Sequence, residues 1–190
     1  MKTQFSQFPV SEDVLPGPAQ VWATTTIDSH TVLRSPRVAD GADIWHIAAD
    51  SGVLDTNSSY AYLMWCRDFA ATSMVAEIGR TVAGFVIGYR RQEAPGTLFV
   101  WQVAVDHPYR GLGLGVSMLD RLLDDLSLQG VSTLETTISP DNKASIAMFA
   151  ALARRRGAAL TSRPLFERPD FPDPHEPELL YRITPTHPEE

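Results

Sequence analysis

Residues Thr97 to Gly115 read TLFVWQVAVDHPYRGLGLG, and their order decides the architecture. Leu98 to Val105 is apolar at every position but Gln102, the pattern of a strand buried on both faces. Asp106-His107-Pro108-Tyr109 makes a short turn. Arg110-Gly111-Leu112-Gly113-Leu114-Gly115 then leads into an amphipathic helix that begins near Val116. Glycines between a strand and a helix N-terminus leave backbone N–H groups uncovered and aimed at one spot. The orphan donors and the positive end of the helix dipole together favour an anion there, a phosphate or pyrophosphate.

Working outward, Met74–Ile78 and Thr81–Tyr89 read as a hairpin turned at Gly79-Arg80, ahead of the glycine-loop strand. Further back, Asp40–Ala49 has a helical apolar face (Ile44, Ile47, Ala48), and Asn57 or Ser58 caps a second helix running to about Ala70. Thr31–Arg34 is a short opening strand. Downstream of the loop, Leu114, Met118, Leu119, Leu122, Leu123 and Leu126 form the stripe of a helix ending near Leu128. Val131–Ile138 is a strand, Asp141 or Asn142 opens a helix ending near Arg156-Gly157, and Leu179–Ile183 is a last strand. Between those two, Pro164, Pro169, Pro172, Pro174 and Pro177 mark a long loop, of the kind that serves a function more often than not. The order β-α-α-β-β-β-α-β-α-β predicts a mixed α/β sheet whose parallel core is strand, helix, strand.

A chain of 190 residues suits one domain, expected over residues 29–185. Residues 1–28, with Pro9, Pro16, Gly17 and Pro18 among polar residues, are expected to be a disordered tail, and 186–190 a short one. No stretch is apolar enough for a membrane span or a secretory signal, so the cytoplasm is the expected compartment. A single cysteine, Cys66, excludes an internal disulfide and a thiolate zinc cluster, and no histidines have metal-ligand spacing, so no metal is expected. A net charge of −7 argues against nucleic acid and is compatible with a cationic substrate. Arg154-Arg155-Arg156 falls at a helix C-terminus, where it complements the dipole.

Two common glycine loops do not fit. A dinucleotide fingerprint starting at Gly111 needs a glycine where Val116 stands, and no Gly-Lys-Ser/Thr tripeptide exists for a P-loop. What fits is Arg-x-x-Gly-x-Gly at Arg110, Gly113 and Gly115, after Val103-Ala104-Val105. This segment resembles the acetyl-CoA signature of the GNAT N-acetyltransferases. Asn142-Lys143-Ala144-Ser145-Ile146-Ala147-Met148-Phe149 resembles their second signature. The resemblance implies the acyl-CoA N-acyltransferase fold, with two splayed parallel strands holding the pantetheine arm of acetyl-CoA. The implied cofactor contacts are Val103, Ala104 and Val105, then Arg110, Gly111, Leu112, Gly113, Leu114 and Gly115 at the pyrophosphate. Asn142, Ser145 and Phe149 would meet it from the other side. Many family members carry a tyrosine at the position of Phe149 that protonates the departing thiolate. Phenylalanine has no proton to give, so another group supplies it or the thiolate leaves unassisted.

Within that family the chain is most similar to members that acetylate L-2,4-diaminobutyrate in ectoine biosynthesis. The segments that carry this are DSGVLDTNSSYAY (50–62), TLFVWQVAV (97–105), LETTISPDN (134–142) and HEPELLYRI (175–183). The resemblance implies direct transfer to the 4-amino group in a ternary complex, a homodimer, and a pocket built from Asp55, Asn57, Tyr60, Trp101, Gln102, Glu135, Thr136 and His175. Each residue also has a local reading. Glu135, an acid in mid-strand, either attracts the substrate ammonium and takes its proton, directly or through water, or is surface-facing or salt-bridged. Asp55 caps the second helix or binds an ammonium. Tyr60 packs, donates to the substrate carboxylate or passes a proton, and Trp101 is core or pocket wall. His175 is solvent-exposed or part of a lid. The base is Glu135 or water, with Tyr60 and His175 competing, and a backbone N–H near Val103 meets the developing oxyanion. Two other readings stay open: a different acceptor (polyamine, aminoglycoside or protein amine), or a CoA-binding sensor without catalysis.

Overall fold

The computed structural model of the chain describes residues 31–186. The expected N-terminal tail, residues 187–190, His30 and His187 lie outside the described residues. Thr186, expected in the C-terminal tail, donates its hydroxyl to the Gly157 carbonyl at 2.7 Å.

Seven strands form one sheet: β1 (Thr31–Arg34), β2 (Met74–Ile78), β3 (Thr81–Arg91), β4 (Ala94–Val105), β5 (Thr133–Ile138), β6 (Ala158–Phe166) and β7 (Glu178–Pro185), in the order β1-β2-β3-β4-β5-β7-β6. Four helices flank it: α1 (Gly41–Asp50), α2 (Ser59–Asp68), α3 (Leu114–Ser127) and α4 (Lys143–Arg155). Only β4 and β5 run parallel, joined by α3 as the mixed α/β expectation required. Every leucine and methionine of the predicted α3 stripe is buried against Leu98, Val100, Leu134 and Ile138 on one face of the sheet. On the other face Ile44, Ile47, Ala48, Tyr62 and Cys66 of α1 and α2 pack on Val75, Val82, Phe85 and Ile87. At the α3–α4 contact the basic run does more than complement a dipole. Arg155 and Arg156 both pair with Asp120 of α3, at 2.8 and 2.6 Å.

One element corrects the sequence reading. Residues 158–166, taken as the start of the proline loop, form β6, antiparallel to β7. Pro164 is tolerated because β6 is the sheet edge, where no further neighbour needs its missing N–H, and the register shifts between Pro164 and Phe166. The remaining loop, 167–177, is short enough to be held by its own contacts. Arg168 pairs with Glu176 at 2.6 Å, and Phe171 packs edge-on against Phe166.

Two irregularities shape the middle of the sheet. The β3–β4 register shifts between Ile87 and Gly88, leaving Trp101 as an extra residue between Val100 and Gln102. The β4–β5 pairing ends at Val100 opposite Thr136. Beyond that point Trp101–Val105 follows β3, while Thr137 and Ile138 follow β7. A bulge bends its strand and steepens the twist, so the bulged strand leaves its neighbour at the place where the bulge begins. The two central strands form a fork.

At the far end of the sheet Arg34 ties β1 to the turn before α1 and to β2. It reaches Asp40 at 2.7 Å and Glu77 at 2.8 Å, and Asp40 also accepts from the Arg37 N–H. Burial opposes ionisation of Asp40, yet the Arg34 guanidinium and the Arg37 N–H outweigh it and hold its carboxyl below the usual aspartate range. Replacing Asp40 leaves the part-buried Arg34 with Glu77 as its remaining counter-charge and loses the two Asp40 contacts. Asp40→Asn is therefore expected to cost about 2–3 kcal/mol of unfolding free energy at neutral pH. Because the folded-state value is depressed, this advantage is complete above the unfolded-state value. It disappears as pH falls through the folded-state value. Urea unfolding of both proteins at neutral pH and near pH 3 checks this; a gap that does not narrow in acid would contradict it.

Candidate active site

The fork exposes backbone. Asp106 donates its N–H to Ala83 on β3, so Asp106, Ala104 and Gln102 turn their peptide groups toward β3 and Val105 and Val103 turn theirs into the gap. Arg110 Nε reaches the Val105 carbonyl at 3.1 Å, as that orientation requires. At the mouth of the fork the Thr136 hydroxyl donates to the Val100 carbonyl at 3.0 Å, satisfying the last carbonyl that β5 leaves behind. Directly after β4, Gly111 and Gly113 adopt left-handed φ values of 80° and 75°, with open space where a Cβ would stand. Gly113 is the N-cap of α3, and Ser117 is the first residue whose N–H bonds back, to Gly113 O. The N–H groups ahead of Ser117 have no carbonyl within α3 to bond to, the arrangement that favours an anion. A gap edged by free peptide groups and ending at such a site fits a pantetheine arm and its pyrophosphate.

The opposite, α1/α2 face of the same strands carries side chains of a different kind. The bulge puts Trp101 and Gln102 on one face in succession. Trp101 is 50% exposed and lies 6.1 Å, ring to ring, from Trp65 of α2. Gln102 is buried, accepts from the Tyr62 hydroxyl at 3.0 Å and donates to the Asp55 carbonyl at 2.8 Å. That bond fixes the loop before α2 against β4 and leaves the Asp55 carboxylate pointing out, 3.5 Å from His175 Nε2. His175 is stacked on Phe171, ring centroids 4.0 Å apart, and its Nδ1 lies 2.6 Å from the Glu176 carbonyl. A carbonyl only accepts, so Nδ1 carries a proton. The Glu176 carbonyl, and after it the Asp55 carboxylate, favours the imidazolium and raises the histidine above its ordinary value.

Glu135 lies on this face too, opposite Phe99 and Arg182 in the register. Its side chain is only 6% exposed, and Arg91 donates to it at 2.7 Å while Arg182 stands at 3.5 Å. Glu178 begins β7 two residues before Leu180, which pairs with Thr137. By alternation Glu178, Leu180 and Arg182 share the face of Glu135 and Thr137. Among the described residues no group of three or more metal-ligating side chains exists, and no helix is long and apolar enough to cross a membrane.

Comparison with known proteins agrees with this geometry. Residues 42–153 match the model of the acetyltransferase (GNAT) family. The chain belongs to the GNAT family. Among curated GNAT relatives, the L-2,4-diaminobutyric acid acetyltransferase of Nocardia farcinica is 56% identical over 97% of both chains. The enzyme of that name from Streptomyces coelicolor is 59% identical over 85% of this chain and 96% of its own. Among solved structures, diaminobutyrate acetyltransferase EctA from Paenibacillus lautus, in complex with its substrate L-2,4-diaminobutyric acid and coenzyme A, is 36% identical. It superposes with a TM-score of 0.78, covering 84% of this chain and 98% of that one.

Within this GNAT fold several expected contacts take different places. Ala104 spends its peptide on β3 and packs toward the α1/α2 core, so it does not face the cofactor gap. Phe149 is 1% exposed, a core residue beneath α4 with no surface to offer a ligand. A Cβ on Gly115 would meet Met148 Sδ at 2.5 Å, so this glycine serves the approach of α3 to α4. Leu114 likewise points into the core, whereas Leu112 stays exposed on the loop. Asn142 uses Oδ1 to cap α4 through the Ser145 N–H at 3.1 Å, leaving its amide nitrogen as the group able to face the gap. Thr136 spends its hydroxyl at the mouth of the fork. Asp55 does not cap α2, whose N-cap is Ser58 with no side-chain cap bond. Tyr60 is 67% exposed on the first turn of α2, and Asn57 lies in the loop just ahead of it.

The residues missed by sequence reasoning are Tyr62, Arg91, Arg182 and Glu178. All but Arg91 lie in the quoted resembling segments, but their partners are 40 or more residues away in the chain or across a strand whose register was not yet known. Cys66 is buried and its thiol is pushed up to about 11, first by burial and then by Asp40, so it is no nucleophile.

Proposed function

We infer that this chain transfers an acetyl group from acetyl-CoA to the 4-amino group of L-2,4-diaminobutyrate, giving N4-acetyl-L-2,4-diaminobutyrate, the acetylation step of ectoine biosynthesis. The observation that carries the choice of acceptor is the 56% identity, end to end, with an enzyme of that name. Acetyl-CoA supplies the activated carbonyl. The rest is done by this chain's own groups. Val103 presents an N–H to the gap, where it can donate to the carbonyl oxygen as charge grows there. Asp55, Glu135 and Glu178 give the opposite face the negative charge that a substrate with two ammonium groups needs, and His175, whose affinity for a proton is raised, is placed to meet its single carboxylate. Trp101 over Trp65 is the apolar wall. Transfer is direct, because Cys66 is inert. Phe149 leaves the thiolate to depart without a proton from α4. A homodimer in the cytoplasm goes with this reading, and sedimentation velocity of the purified protein checks its oligomeric part.

The test is acetyl transfer to diaminobutyrate measured beside lysine, ornithine and polyamines. A pocket built of paired polar groups rejects acceptors of the wrong length, so kcat/KM is expected to favour diaminobutyrate by about 100-fold or more. Comparable rates with a longer diamine would overturn the assignment.

A further inference from the structure

The α1/α2 face holds more acid than the reaction needs for binding, and its acids are not equivalent. An aliphatic ammonium, with a pKa near 10, must lose a proton before it attacks, so one group has to be a base. Glu135 is a poor choice. Arg91 grips it at 2.7 Å and Arg182 flanks it at 3.5 Å, so its carboxylate oxygens are already engaged by guanidinium groups. His175 is committed as a donor, with Nδ1–H on the Glu176 carbonyl and Nε2 facing the Asp55 carboxylate. Asp55 itself is almost bare, its side chain 93% exposed, and Tyr60 stands apart on α2.

We propose that Glu178 is the general base of the acetyl transfer, its carboxylate taking a proton from the 4-ammonium group of the bound substrate. This rests on the acceptor assigned above. Glu178 is half-buried at the start of β7, on the shared face beside Thr137, the first β5 residue past the fork. Burial raises its carboxyl, the Thr137 hydroxyl and the His175 cation pull it down, and Asp55 and Asp141 push it up again. The net direction is upward, so Glu178 takes a proton more readily than an ordinary glutamate. The other charged groups on this face are Arg163 of β6, exposed and opposite Leu180, and the Arg182–Glu135 pair further along β7. Unlike Glu135, Glu178 pairs with no arginine or lysine among the described residues. In the step an N–H bond of the ammonium breaks, its electrons stay on nitrogen, and the proton forms an O–H bond on Glu178. The neutral amine then forms the new C–N bond as the C–S bond breaks. The proton on Glu178 passes to solvent.

Glu178→Gln keeps size and hydrogen bonding and removes the base. It is expected to lower kcat roughly 100-fold or more while KM for diaminobutyrate stays within about threefold. The acid limb of the kcat/KM pH profile should vanish with it, and Glu178→Asp should recover part of the rate. Glu135→Gln should instead raise KM. Coenzyme A affinity by calorimetry and the thermal midpoint confirm that the variants are folded. Wild-type turnover with an unchanged pH limb in Glu178→Gln overturns the proposal, as does a rise in KM alone, which marks a binding group. No turnover of diaminobutyrate by the unmodified protein would overturn the acceptor assignment, and this proposal with it.

Discussion

Gly113→Val is expected to weaken coenzyme A binding by roughly a thousandfold, about 4 kcal/mol. Gly113 combines a φ of 75° with the N-cap position of α3. A residue with a Cβ pays about 1–2 kcal/mol to hold that conformation, and a β-branched one pays more. Valine therefore drives the loop away from the geometry that gathers the free N–H groups ahead of Ser117. Nothing lies within 4 Å of the added Cβ, so no packing is lost and the folded protein survives. Gly115→Val is the control with the opposite signature. Its side chain collides with Met148, so the thermal midpoint falls while coenzyme A affinity changes far less. Calorimetric titration with coenzyme A, alongside thermal unfolding, separates the two. Wild-type affinity in Gly113→Val would mean the pyrophosphate is held elsewhere.

Gln102→Leu is expected to cost about 3 kcal/mol of stability and to raise KM for the amine at least tenfold, with KM for acetyl-CoA little changed. Gln102 joins β4 to two other elements: it accepts a hydrogen bond from the hydroxyl of buried Tyr62 on α2 and donates one to the Asp55 carbonyl in the loop before it. Leucine has similar bulk, so no cavity opens. The loss is polar. The Tyr62 hydroxyl is left without an acceptor inside the α1/α2 core, and the loop carrying Asp55 is released from β4. The cofactor gap lies on other groups, the Val103 and Val105 peptides, and is untouched. Urea unfolding and steady-state kinetics read the two halves of the expectation. A variant with normal KM for the amine would show that Asp55 needs no such anchor.

The strands that set the fold were readable because their evidence is local. An eight-residue apolar run before three glycines, a leucine stripe at helical spacing and a Gly-Arg hairpin each declare themselves within a few residues. The missing strand, β6, carries Pro164, and a proline argues against a strand unless its edge position is known. That position exists only after β7 has been placed between β5 and β6. The site was legible by residue type and not by partner. Glu135 stood out as an acid in mid-strand, yet nothing local says that Arg91 and Arg182 close on it. Glu178 looks like an ordinary strand start. Only the alternation of β7, anchored by the Arg182–Glu135 contact, turns it toward the fork. The position of Phe149 in the second signature likewise could not reveal that it is buried in the core on the α3/α4 side.

The single extra residue in β4 can be read as a division of the strand's duties. If Trp101 is struck out, the alternation from Leu98 to Val105 becomes regular: Leu98, Val100, Val103 and Val105 look to the α3/α4 side, and Phe99, Gln102 and Ala104 to the other. Neither hydrophobic layer needs the tryptophan to stay in phase. The strand is thus a complete piece of scaffold with one residue spliced in, and the splice falls where the strand parts from β5 and sets a half-exposed indole beside Trp65. Under the proposed function, that one inserted residue would let donor and acceptor meet at the same seam from opposite sides of one sheet.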